Sequence, residues 1–127
     1  VNGIFCAEWD DKTDYLGDYY VCGLNGWYDD KAGIEGCKVG VGDFCGMSET
    51  SYKYKAGDEI EFTFGAIDGH CFMLVDGKLV AEHLDGILKL NKGHIGFSPY
   101  CTMLKIRDIV IREISYVDNQ QHYEPEF

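Results

Sequence analysis

Between Glu59 and Phe64 the apolar side chains take every second position: Ile60, Phe62 and Phe64 alternate with Glu59, Glu61 and Thr63. A repeat of two is that of a β-strand, whose successive side chains point to opposite faces, so this strand has one buried and one wet face. Asp68-Gly69 leads from it into Cys71-Phe72-Met73-Leu74-Val75, and Asp76-Gly77 leads on into Leu79-Val80-Ala81-Glu82-His83. Asp-Gly readily adopts the positive-φ conformation of two-residue hairpin turns. Two such dipeptides eight residues apart therefore predict a meander of antiparallel hairpins.

The rest of the chain has the same character. A first strand is expected in Gly3-Ile4-Phe5-Cys6-Ala7-Glu8-Trp9, followed by a polar turn through Asp10, Asp11, Lys12, Thr13 and Asp14. A second runs from Gly17 to Leu24 and ends at the turn dipeptide Asn25-Gly26. A short strand is expected over 32–39, a glycine-rich loop over 40–46, a short edge strand over 51–54 and a further strand over 93–98. Residues 102–116 read as the last and longest strand. There Leu104 and Ile106 point inward until Ile109, with Ile111 or Val110, takes over after Arg107-Asp108, and the change of parity predicts a β-bulge. No 12-residue amphipathic window accumulates helix formers, and 16 glycines against 2 prolines punctuate many short strands. The expected fold is all-β, a two-sheet antiparallel sandwich over residues 1–116, with an aperiodic C-terminal tail at 117–127.

Composition narrows the function. At 127 residues the chain has room for one core, and 46% apolar residues are too many for disorder. Its 22 acidic against 11 basic residues give a net charge of −11, which repels phosphate backbones and anionic lipid. Nucleic acid and membrane are therefore not expected partners. No run of about 18 apolar residues crosses a bilayer, and Val1-Asn2-Gly3 does not open a signal peptide. Because the first strand starts at once, a preceding segment of a longer chain is expected.

Several of these blocks together resemble a known superfamily. Phe72 to Val80 with its Asp76-Gly77, then Gly93-His94-Ile95-Gly96-Phe97, then Leu104 to Ile114 resemble the second half of concanavalin A-like jelly-roll domains. The likeness is greatest to 3-keto-disaccharide hydrolase domains and to laminin-G-like domains attached to arabinofuranosidases. Asp18 to Trp27 followed by Ile34-Glu35 is similar to a motif of the latter, and Asn2-Gly3-Ile4-Phe5 to a strand of the former. The resemblance implies a jelly roll whose N-terminal strands are missing before Val1. Asp108 stands where those families usually carry Asn. These motifs place turns and core strands and define no catalytic constellation.

Six cysteines are present, Cys6, Cys22, Cys37, Cys45, Cys71 and Cys101, none in a C-x-x-C pair. Cys6, Cys22, Cys71 and Cys101 lie in or beside apolar sequence, where a thiol behaves as a small buried hydrophobe. Mostly free structural thiols are expected rather than three bridges, in a cytoplasmic or anaerobic bacterial setting. The four histidines, His70, His83, His94 and His122, have no metal-ligand spacing. Asp10, Asp11 and Asp14 are candidate ligands for a structural Ca²⁺, although they lack the spacing of a defined calcium loop and read more readily as a solvated acidic turn.

Sugar recognition requires a flat aromatic face for the C–H-rich side of a pyranose and planar polar groups for its hydroxyls. Trp27 and Tyr28 with Asn25, Asp29 and Asp30 supply both in one turn, and Trp9 with Glu8 and Asp10 can supply a second face. The plainer readings are a Trp27 that caps the sandwich edge and a Trp9 that belongs to the core. The expectation is a noncatalytic carbohydrate-binding or accessory domain that needs no cofactor unless an acidic loop holds Ca²⁺. One alternative is a glycoside-processing enzyme of the 3-keto-disaccharide hydrolase or lyase kind, with Glu8 and Asp10 as acid and base. Another is a structural subunit that completes its sandwich with another polypeptide or an upstream segment.

Overall fold

A computed structural model describes residues 1–24, 31–39, 42–44, 52, 54–99 and 101–115, and every regular element within them is a β-strand. In chain order these are β1 (Asn2–Ala7), β2 (Trp9–Asp10), β3 (Tyr15–Leu16), β4 (Tyr19–Leu24), β5 (Ala32–Lys38), β6 (Gly42–Phe44), β7 (Phe62–Ile67), β8 (His70–Val75), β9 (Lys78–Leu84) and β10 (His94–Ser98). They form a five-stranded antiparallel sheet in the order β10-β1-β4-β5-β6, a three-stranded meander β7-β8-β9, and the small hairpin β2-β3. No helix of the described residues is long and apolar enough to cross a membrane.

The meander turns where the sequence predicts. Asp68 and Gly69 have φ of 49° and 81°, and Asp76 and Gly77 have 51° and 77°, the paired left-handed conformations of a two-residue hairpin turn. Ile60, Phe62 and Phe64 are half-buried while Glu59, Glu61 and Thr63 are exposed, as the alternation requires. A bulge falls in β9, where Met73 and Leu74 oppose Ala81 and Leu79 and Val80 is the extra residue. Val80 is thereby turned to the buried side with Ala81.

The two larger sheets face each other across one core. Phe5, Tyr20, Cys22, Leu24 and Ile34 come from the five-stranded sheet, and Cys71, Met73, Val75, Val80 and Ala81 from the meander. Each large apolar side chain removed from water here contributes about 1.5–3 kcal/mol. The sheets approach closely where the Phe64 ring lies over Gly3: a β-carbon on Gly3 would stand 2.5 Å from it. Phe64 also packs against Phe5 and, edge-on, against Phe97, with ring centroids 5.4 and 5.9 Å apart.

The structure departs from expectation in several places. Gly42–Phe44, inside the stretch read as a loop, is a strand paired with β5 through Gly36↔Phe44 and Lys38↔Gly42. Ladder bonds are made by backbone groups, which glycine carries like any residue, and at an edge little side-chain packing is needed. The longest strand expected, over 102–116, is not formed: residues 102–115 join no strand among the described residues. Apolar alternation specifies which face of a strand could be buried, but it does not supply the neighbouring strand. The β-bulge expected at Arg107-Asp108 is not seen, because a bulge needs a ladder and this segment joins none among the described residues; Asp108 has a positive φ of 56°. Tyr52 and Tyr54 belong to no strand. The expected tail at 117–127 lies outside the described residues.

Candidate functional site

Two open hollows flank the β2-β3 hairpin. Trp9 pairs with Leu16 and Asp10 with Tyr15, and the ladder continues through bonds from the Glu8 N–H to the Asp18 carbonyl at 2.9 Å and from the Gly17 N–H to the Glu8 carbonyl at 2.8 Å. The hairpin is short because Asp10 to Asp14 turns at once: the Asp10 carboxylate accepts the Lys12 N–H at 2.9 Å, and Asp14 has φ 53°. The acidic cluster is thus a turn whose first carboxylate caps its own backbone. Among the described residues no three His, Cys, Asp or Glu side chains gather as a metal site.

The first hollow, of about 430 Å³, is bordered by Glu8, Trp9, Lys92, Gly93 and His94. Trp9 is 48% exposed and so is no part of the core, the plainer of its two readings. Cross-strand pairing of Ala7 with His94 brings the 92–94 segment alongside the hairpin. Gly93 makes this approach possible. At φ 142° a β-carbon on it would lie 2.5 Å from the Ala7 carbonyl oxygen, against the backbone. Gly17 does the same for Glu8, whose β-carbon and carboxylate lie 3.0 and 3.2 Å from where a Gly17 β-carbon would be. Trp9, Glu8, Lys92 and His94, one aromatic and three polar residues, therefore border one concavity.

The second hollow, of about 350 Å³, is lined by Asp10, Thr13, Tyr15, Tyr19 and Lys38 among others. Glu8 and Asp10 consequently border different hollows, an arrangement that does not make them a converging acid–base pair. The candidates Asn25, Trp27, Tyr28, Asp29 and Asp30 lie outside the described residues. Lys92 and His94 were not singled out in the sequence. The signal for them was Gly93 between two polar side chains immediately before a strand, and it becomes meaningful only once β10 is seen to pair with β1.

The thiols are structural. Cys22, Cys37 and Cys71 are buried and Cys6 is half-buried, and Cys6, Cys22 and Cys71 form no disulfide. Burial pushes the Cys71 thiol up to about 12, reinforced by the Asp85 carboxylate, and burial likewise raises Cys22 and Cys6. Cys101, expected beside an apolar strand, is instead exposed with the segment that carries it. Cys45 lies outside the described residues.

Compared with known proteins, the chain matches no family model, no curated protein and no solved structure.

Proposed function

We propose that the protein is a noncatalytic carbohydrate-binding domain whose sandwich is of the concanavalin-like jelly-roll kind, with Trp9 as a stacking platform. The observation that carries this reading is the placement of Trp9, a large ring held half in water on a short hairpin beside Glu8, Lys92 and His94. An indole so placed offers its face to the C–H side of a sugar ring, and the neighbouring polar groups are within the same concavity for its hydroxyls. The likeness of the Asp18 to Trp27 segment to domains attached to arabinofuranosidases supports the same ligand class. Trp27 and Tyr28 are further contact candidates in this reading.

The test is a titration of ¹⁵N-labelled protein with a panel of neutral mono- and oligosaccharides. The Trp9 indole N–H and the His94 and Lys92 amides are expected to shift, and Trp9→Ala is expected to abolish the shifts while leaving the remaining spectrum folded. Absence of binding across the panel overturns the proposal. Turnover of a 3-keto-glycoside that Glu8→Gln abolishes would replace it with an enzyme.

A further inference from the structure

We propose that residues 106–114 form an antiparallel β-interface with the same residues of a second copy of this chain. The segment reads Ile106-Arg107-Asp108-Ile109-Val110-Ile111-Arg112-Glu113-Ile114. Among the described residues it joins no sheet, yet Ile109, Val110 and Ile111 are 58%, 68% and 72% exposed. Three consecutive exposed β-branched residues that join no strand among the described residues are a strand awaiting a neighbour.

Charge selects which neighbour. Laid antiparallel on itself about Val110, the segment sets Ile106 against Ile114, Arg107 against Glu113, Asp108 against Arg112 and Ile109 against Ile111. Every apolar residue then meets an apolar one and every charge its opposite. Two-fold symmetry repeats each of these pairs, giving four opposite-charge contacts in all. Neighbouring registers lose this match. A slip of one residue in one direction sets Arg107 against Arg112, and in the other Asp108 against Glu113. A parallel, in-register alignment sets each charge against itself. The Val110-centred register is therefore the one the sequence favours over its competitors.

Asp108 has φ 56°, a left-handed conformation that Asp tolerates better than most residues. It stands beside the Ile109–Val110–Ile111 centre, and pairing in this register requires it to return to extended backbone opposite Arg112 of the second copy. Arg107 meets Glu59 within the chain and also lies 3.8 Å from the exposed Asp108 carboxylate, so the Asp108–Arg112 pair, which leaves the Arg107–Glu59 contact in place, is the one to test.

Sedimentation velocity over a concentration series of the 127-residue chain is the experiment. The wild type is expected to dimerise, and Arg112→Asp to raise the dimer dissociation constant on the order of tenfold or more, since two attractive contacts become repulsive. The exchange Asp108→Arg with Arg112→Asp is expected to restore it, because the symmetry makes swapped charges complementary again. Far-UV circular dichroism checks that each variant keeps its sheets. A wild type that stays monomeric at every concentration overturns the proposal, as does a folded double exchange that fails to recover. A monomer whose 106–114 amides resist hydrogen exchange also overturns it, since some other segment then covers the strand.

Discussion

The Tyr20 hydroxyl donates to the Asp85 carboxylate at 2.6 Å, linking the five-stranded sheet to the loop that follows the meander. Both residues are buried. The same hydroxyl accepts the Leu90 N–H at 3.1 Å, and the carboxylate accepts the N–H groups of Ile87, Leu88 and Lys89 at 2.8–3.0 Å. Asp85 thus organises a loop with no ladder of its own. Tyr20→Phe leaves the Leu90 N–H unpaired and removes one bond to a buried charge. It is expected to cost about 1.5–3 kcal/mol in urea unfolding, with little change in the denaturant slope.

Asp85 should also make stability depend on pH. Burial alone would raise its pKa, but the hydroxyl of Tyr20 and the three backbone donors outweigh this and hold the carboxyl below its ordinary value. A depressed folded-state pKa gives stabilisation that is fully present above the unfolded value of about 4 and is lost as pH falls through the folded value. Unfolding free energies of the wild type and Asp85→Asn, measured from pH 7 down to about pH 2, should therefore converge toward the acid end. A gap that stays constant over this range would show that the carboxylate's charge is not what the loop uses.

Two glycines in equivalent turns should respond very differently to the same substitution. Gly69 and Gly77 both follow Asp in hairpin turns and have φ of 81° and 77°. A β-carbon on Gly77 meets nothing within 4 Å, while on Gly69 it stands 2.2 Å from the Asp85 carbonyl oxygen, the residue whose N–H bonds back to the Gly69 carbonyl at 2.7 Å. Gly77→Ala should cost about 1 kcal/mol, the conformational penalty alone. Gly69→Ala should exceed about 3 kcal/mol because the backbone of the Asp85 loop must move. Thermal unfolding of the two variants side by side decides this.

What could be read in the sequence follows from the range of the interactions. The β7-β8-β9 meander was legible because its signals are local: Asp-Gly fixes each turn, and alternation fixes the buried face of β7. The Tyr20–Asp85 contact joins positions 65 apart in sequence and was not legible, since an Asp after an apolar strand looks like any solvated turn residue. The site divided in the same way. Trp9 with Glu8 was visible as a polar-flanked aromatic, whereas Lys92 and His94 reach it through β1-β10 pairing, which no local pattern announces. Residues 102–115 failed in the opposite sense: the local pattern for a strand is strong, but a ladder needs a neighbouring strand, which local alternation does not specify.

The free thiols should differ sharply in reactivity. Thiolate is the reactive species, and burial holds Cys22 and Cys71 far from it, whereas Cys101 is exposed. With iodoacetamide at pH 8, Cys101 is expected to label in the native protein. Cys71 should label far more slowly, because burial both raises its pKa and keeps the reagent out. Peptide mass spectrometry at successive times reads this directly. Rapid native labelling of Cys22 or Cys71 would mean that the two sheets open.

The last prediction concerns how closely the sheets pack. Gly3 lies under the Phe64 ring, with the ring edge 2.5 Å from the place of its missing β-carbon, and Phe64 in turn touches Phe5, Phe62 and Phe97. Gly3→Ala forces that ring aside and should cost about 1–3 kcal/mol by overpacking. Phe64→Leu removes part of the ring cluster and should cost about 1 kcal/mol by itself. Leu is narrower at the point of conflict, so the two changes together should cost less than their sum by about 1 kcal/mol, the coupling expected of residues in direct contact. A double-mutant cycle by urea denaturation measures that difference. Strict additivity would mean that the ring already has room to move, and that Gly3 is set by the strand backbone rather than by the approach of the second sheet.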